Sequence, residues 1–347
     1  MFRIIVILIV RGINNVWKRG KYAELNRNCL CYGSILLALI YYNCVIRAAI
    51  NSARRVLSEP VAELEDLRFE PDTSVVEYFL DPDEPTKPRL PDAYIIGVRK
   101  CGTLAVADFL GVHPDIVLVD KELHYFDNLF SNGIDWYKSN MPAAADYQVV
   151  VERCPSYFTN AAVPEKIFKT NPDAKIILGV RDPIQRSISE YAQMEKEANG
   201  KFFKPYREFA FIQGNMGRLN ENWTALQDGL YAKHLQPWLR YFPRRQLFIF
   251  KAEDLVAEPA KVLKRLQVFL QIRFYVSAAH FKANGTGAFP CIVDPADTER
   301  ECLNGTLRAT SVQHPRIEWG IIHNLKIFFR QHVNDFHNIT GIRFGWI

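Results

Sequence analysis

The sequence predicts an α/β protein: one domain with a central parallel sheet flanked by helices, preceded by a membrane-spanning helix and a stem. Three observations carry that prediction. From residue 93 onward, short apolar runs alternate with stretches of helical periodicity. The runs are apolar at successive positions, the mark of strands covered on both faces. Ahead of them, a charge-free stretch and a Pro-, Asp- and Glu-rich segment stand apart from the body. Such an alternation builds a doubly wound sheet, whose ligands bind outside the carboxyl ends of its strands.

The N-terminal 1–27 carries six basic residues and one acidic residue, Glu24. The next stretch, 28–46 ("NCLCYGSILLALIYYNCVI"), has no charge. As a helix rising ~1.5 Å per residue it spans roughly the 30 Å hydrocarbon core. The positive bias before it keeps the N-terminus cytosolic and exports the remainder. A buried core helix and a signal peptide are the competing readings. "IIVILIV" at 4–10 is too short to cross. Residues 47–90 read as a lumenal stem, and 91–347 as the folded body. Four sequons follow the anchor, at Asn222, Asn284, Asn304 and Asn338, which agrees with a lumenal body. In an oxidising lumen Cys291 and Cys302 can close a short loop. The 347 residues carry a net charge of +5, which permits an acidic partner without requiring one. No nucleic-acid partner is expected.

Within the body, "AYIIGV" (93–98) predicts a strand and 103–112 a helix. "QVVVE" (148–152) and "AKIILGV" (174–180) predict strands, the latter followed by a helix to about 196. "QLFIF" (246–250) predicts a strand and 259–270 a helix. No internal repeat is evident.

Four stretches carry chemistry. In "GVRKCGT" (97–103), glycine allows close backbone approach, a helix N-terminus offers free N–H groups, and Lys100 adds a mobile charge. Together they suit a phosphate or sulfate. The G-x-x-x-x-G-K-[ST] order of a nucleotide-hydrolysing loop is absent, and an ordinary turn with solvated basic residues is the competing reading. In "LGVRDPIQRSISEYAQ" (178–193), Asp182 can cap a helix that Pro183 begins. Arg181 and Ser189 can then grip a second phosphate. In "KELHYFDN" (121–128), aromatics surround Glu122, His124 and Asp127, and such surroundings tune a carboxyl toward general-base work. An extended chain would point Asp127 away from the other two, so a turn is required. A plain surface turn and a metal site are the alternatives. In "VERCPSYF" (151–158), Arg153 can clamp an anion or form a salt bridge with Glu152 or a neighbour.

In this order the four stretches resemble the heparan sulfate glucosaminyl 3-O-sulfotransferases, a Golgi family, over roughly 90–345. "IIGVRKCGT" resembles its 5′-phosphosulfate loop, K-G-G-T-R. "ELHYFD" resembles E-x-H-F-F-D, and "ERCPSYF" resembles E-K-T-P-S-Y-F. "VRDPIQRSISEYAQ" resembles the 3′-phosphate segment R-D-P-x-x-R-x-x-S-x-Y, and "GLYAKHLQPWLRYFP" (229–243) also matches. The resemblance implies a P-loop-like sulfotransferase fold. It also implies a single-pass Golgi membrane enzyme with its body in the lumen. The co-substrate would be 3′-phosphoadenosine 5′-phosphosulfate, and the acceptor the 3-hydroxyl of glucosamine in heparan sulfate. No metal is expected.

Residue by residue, the resemblance makes Glu122 the general base, with His124 and Asp127 as its supporting neighbours. Lys100 is the cation on the leaving oxygen. Lys100, Cys101, Gly102, Thr103, Arg181, Ser189 and Arg308 hold the donor, and Arg99 and Arg153 face the acceptor. Arg153 stands where the family has Lys, Cys101 where it has Gly, Leu104 where it has Arg and Cys154 where it has Thr. The paired appearance of Cys101 and Cys154 raises the hypothesis of a disulfide between them. The family's S-K-G-R-x-H-P loop is replaced by "LNGTLRATSVQHP" after Cys302, with Arg308 its one basic residue. These departures motivate a rival reading, a catalytically weak membrane glycoprotein that binds heparan sulfate. A sulfotransferase for another glycan or position is the third.

Overall fold

The computed structural model describes residues 85–199, 201–212, 217–283, 289–296, 302 and 314–346. The segments read as cytoplasmic tail, anchor and stem up to residue 84 lie outside the described residues, as do Asn284, Asn304 and Arg308. Among the described residues no helix is long and apolar enough to cross a membrane.

Five strands form one sheet: β1 (Ala93–Gly97), β2 (Ile116–Leu118), β3 (Val149–Arg153), β4 (Lys175–Val180) and β5 (Leu247–Lys251). Their spatial order is β2-β3-β1-β4-β5, and every adjacent pair is parallel. The main helices are α1 (Thr103–Gly111), α2 (Gly133–Ser139), α3 (Val163–Thr170), α4 (Pro183–Glu197), α5 (Tyr231–Leu239), α6 (Pro259–Leu270) and α7 (Trp319–Thr340).

Successive side chains of a strand point to opposite faces, so each strand feeds two cores. Ile95, Val151, Ile177 and Phe248 pack with Val106, Phe109 and Leu110 of α1 and with Leu263 and Leu266 of α6. Tyr94, Ile96, Val150, Ile176 and Leu178 face the other way, onto α3, α4, α5 and α7. This two-sided burial is why the strands read as unbroken apolar runs. The sequence reading assigned neither β2, which is three residues long, nor α7. The buried stripe of α7 is Ile321, Leu325, Phe329, Val333 and Phe336, a helical spacing. Lys87–Pro88, in the segment read as stem, pairs antiparallel with Ala143–Ala144, and Arg89 donates to Ala145 O at 2.6 Å.

The strand order creates one reversal. The chain leaves β1 toward β2 on one side of the sheet and leaves β4 toward β5 on the other. Between β1 and β4 the two connections diverge and open a crevice at the carboxyl edge. Glycine keeps the crevice walls close. A Cβ on Gly179 of β4 would sit 2.8 Å from the carbonyl of Cys101. Gly102 adopts φ +78°, a left-handed conformation that other residues adopt at a cost.

Cys291 and Cys302 form the expected disulfide, with Cα atoms 5.5 Å apart. Cys101 and Cys154 are both free thiols, which corrects the hypothesis that they pair. Each is enclosed in its own packing: Cys101 faces the Tyr231 hydroxyl at 4.0 Å, and Cys154 faces Ser156 and His124. Asn222 and Asn338 are exposed. Thr340 of the second sequon is 3% exposed and donates to Phe336 O.

Candidate active site

Two clusters flank the end of β1 on the carboxyl edge of the sheet. They adjoin because Ile95 of β1 pairs with Arg153 on β3, and Gly97 pairs with Leu178 on β4. A Cβ on Gly97 would meet the Pro155 carbonyl at 3.0 Å, so the chain after β3 packs directly on the start of the β1–α1 loop.

The first cluster is cationic. The loop from Val98 to Gly102 turns sharply, with Val98 N donating to Gly179 O and Cys101 N to Val98 O. Lys100 takes φ +68°. Thr103, 6% exposed, opens α1. The free N–H groups of that first turn face the loop mouth, where the helix dipole favours an anion. Lys100 Nζ reaches Gln193 Oε1 at 3.5 Å. Burial pushes the Lys100 ammonium below its ordinary value; Glu190 opposes this, while Arg99 and Arg181 add to it. Arg181 directly follows β4, and its carbonyl accepts from the Tyr231 hydroxyl at 2.7 Å. Asp182 caps α4 through Ile184 N and Gln185 N, as its sequence position suggests, with Pro183 at the first turn. Ser189 lies on α4 and is 6% exposed. Arg99 is half exposed and pairs with Glu190 at 3.1 Å.

Sequence reasoning gave no site role to three members of this cluster. Glu190 braces Arg99, and its other oxygen lies 3.5 Å from the fully buried Arg186. Arg186 in turn donates to the Ala225 carbonyl and lies 3.9 Å from Asp228. His314 is pushed below its ordinary value by burial and then by Arg181 and Lys100. It therefore sits in the field of the same cations. Its adjacency to Pro315 in "QHP" was the available signal.

The second cluster gathers Glu122, His124, Asp127 and Arg153. The required turn exists: His124, at φ +53°, caps one wide helical turn over Tyr125–Leu129, and Asn128 N and Leu129 N both donate to His124 O at 3.0 Å. The turn brings Asp127 Oδ2 to 3.1 Å from His124 Nδ1. His124 Nε2 lies 3.6 Å from Glu122 Oε2. Arg153 Nη1 donates to Glu122 Oε1 at 2.5 Å. The guanidinium is therefore engaged with a carboxylate, but with Glu122 and not with the adjacent Glu152. Ser156 Oγ donates to Asp127 Oδ2 at 2.6 Å.

Behind this cluster, Glu152 is fully buried and accepts from the Tyr137 and Tyr157 hydroxyls. Burial pushes its carboxyl up to about 7, against the pull of those two hydroxyls. A cavity of about 330 Å³ is lined by Val119, Asp120 and Lys121, which precede Glu122 in the chain, and by Ser139, Asn140, Met141 and Pro142.

Residues 90–291 match the model of the sulfotransferase domain family. The chain is 38% identical over 263 residues to heparan sulfate glucosamine 3-O-sulfotransferase 6 from Homo sapiens, covering 76% of this chain and 75% of that protein. It is 39% identical over 266 residues to heparan sulfate glucosamine 3-O-sulfotransferase 3A1 from Homo sapiens, covering 76% of this chain and 64% of that protein. A crystal structure of a sulfotransferase from Alicyclobacillus acidocaldarius shares the fold at a TM-score of 0.55 and 20% identity, over 74% of this chain and 97% of that one. A cationic crevice at the β1/β4 reversal, with a braced carboxylate beside it, is thus the setting found in a chain that belongs to the sulfotransferase family, within the group of heparan sulfate glucosamine 3-O-sulfotransferases.

Proposed function

We propose that this protein transfers a sulfuryl group from 3′-phosphoadenosine 5′-phosphosulfate to the 3-hydroxyl of glucosamine units in heparan sulfate. The observation that carries the reading is the pairing on one sheet edge of an Arg-braced carboxylate with a cluster of cations, Lys100, Arg99 and Arg181, whose close carboxylate Glu190 is shared with the buried Arg186. Burial first, and then the neighbouring Arg99 and Arg181, disfavour the charge of Lys100. A polyanion relieves that repulsion, so the residues fit a donor carrying phosphates and a sulfate.

Sulfuryl transfer, like phosphoryl transfer, needs an in-line arrangement and stabilised charge on the departing oxygen. The donor supplies the activated sulfuryl group. The first turn of α1, with Gly102 and Thr103, receives its 5′ end, and Lys100 neutralises the charge that grows on the leaving oxygen. Arg181 and Ser189 bind the 3′-phosphate. Glu122 accepts the proton of the acceptor hydroxyl, while Arg153 fixes the carboxylate's orientation and His124, held by Asp127, borders its second oxygen. Arg99 contributes to the path of the polyanionic chain. The segment at 28–46 anchors the enzyme in the Golgi membrane with the body in the lumen.

The test is transfer of labelled sulfate by the full-length chain to defined heparan oligosaccharides, with the modified position mapped. Label at glucosamine O3 supports the reading. Label at another position favours the third reading, and donor-independent binding without transfer favours the catalytically weak glycoprotein.

A further inference from the structure

Cys154 stands beside His124 and Ser156 and takes no part in the transfer steps set out above. One donor atom from each of Glu122, His124 and Cys154 lies within 4.8 Å of the others. His124 Nε2 is 3.6 Å from Glu122 Oε2, while the other ring nitrogen, Nδ1, is held by Asp127 at 3.1 Å and lies 3.5 Å from Cys154 Sγ, so Nε2 is the nitrogen left to an ion. A tetrahedral ion with bonds of about 2.0–2.3 Å holds its donors roughly 3.3–3.6 Å apart; Nε2 and Oε2 have that spacing, and Sγ, beside the same ring, closes on the ion by rotation of its side chain. Thiolate, imidazole and carboxylate together form a donor set that suits zinc.

The surroundings add what a metal site needs outside its ligands. Arg153 holds Glu122 Oε1 and leaves Oε2 on the side of His124. Asp127 accepts from His124 and Ser156 through Oδ2. Asp127 is itself 7% exposed at the side chain, and its Oδ1 is buried with no hydrogen-bond partner. A carboxylate on the ring of a ligating histidine orients it and raises its basicity. The side chains of Glu122 and His124 are about one-third exposed, which gives an ion a route in from the cleft.

We propose that Glu122, His124 and Cys154 form a binding site for a thiophilic divalent cation of the zinc class, whose occupancy shuts off transfer by tying up Glu122. As the ion binds, a bond forms between it and Sγ, and the thiol proton leaves to solvent. The fourth position stays open to water. The ion is an inhibitor here, and the transfer chemistry proceeds without it. The inhibitory half rests on the assignment of Glu122 as base; binding of the ion does not.

The experiment uses the full-length chain freed of metal by chelation. Cobalt(II) is the probe, because thiolate ligation gives it an intense near-ultraviolet charge-transfer band. The wild-type protein should show that band, saturating at one equivalent and abolished by competing zinc. Cys154→Ser should lose the band and weaken zinc binding by about tenfold or more. In sulfate transfer, zinc should inhibit wild type at a concentration at least about tenfold lower than it inhibits Cys154→Ser, each measured against its own metal-free rate. A wild-type spectrum without the thiolate band overturns the site, and this readout needs neither donor nor acceptor. A normal band with zinc-insensitive transfer overturns the inhibitory role and leaves the site standing.

Discussion

Glu122→Gln separates chemistry from structure. Glutamine keeps an oxygen for Arg153 but cannot accept the acceptor's proton. The Glu122 and Arg153 side chains are 33% and 22% exposed, so solvent screens the ion pair and its loss costs the fold at most about 1 kcal/mol. Loss of a positioned general base slows the chemical step by roughly 10²–10⁴-fold. At about 1.4 kcal/mol per tenfold, that is ~3–5 kcal/mol of barrier. The rate effect should therefore exceed the stability effect several-fold. Donor affinity should stay nearly unchanged, since Glu122 belongs to the cluster away from Lys100 and Arg181. The assays are single-turnover transfer of labelled sulfate, donor titration by calorimetry and thermal unfolding, all on the same preparation. A variant with wild-type turnover, or one whose rate falls only in step with donor affinity, would refute the assignment.

Lys100→Ala should weaken both donor binding and turnover, because it removes the charge at the loop mouth. Burial lowers the wild-type ammonium, so donor affinity should begin to fall at a pH below the ordinary lysine value of 10.5, with a slope that calorimetry finds missing in the variant. Arg186→Ala should cost about 3–5 kcal/mol in denaturant unfolding, because it strands Glu190 and Asp228 beside a fully buried site. Cys101 is held neutral in the folded chain, its thiol pushed up to about 12 by burial. Above the ordinary value of 9.0 the unfolded chain releases that proton and the folded chain keeps it. Stability should therefore fall as pH rises from about 9 toward 12, and mass spectrometry should find Cys101 unalkylated by iodoacetamide in the native protein at mildly alkaline pH. The alkaline loss should shrink in Cys101→Ala.

The sheet was legible because burial on both faces leaves a direct trace, an unbroken apolar run, at 93–98, 148–152, 174–180 and 246–250. The loop at 97–103, the cap at Asp182 and the pairing of Cys291 with Cys302 were legible for a similar reason, since each depends on residues close in sequence. The short strand β2 left too brief a pattern to separate from a loop.

The partners of the reactive groups were decided by the tertiary fold. Arg153 followed a strand and could have bound an anion or a neighbour; the meeting of the β2 and β3 ends settled it on Glu122, 31 residues away. Glu190 gained its place when α4 laid it between Arg99 and Arg186, and Cys154 became a neighbour of His124 only when the 125–129 turn folded back. The sequence alone determined which groups carry charge, which runs must be buried and where the chain turns, because these follow from each residue and its nearest neighbours. Which carboxylate meets which cation depends on the strand order β2-β3-β1-β4-β5, a long-range pairing that no local pattern encodes.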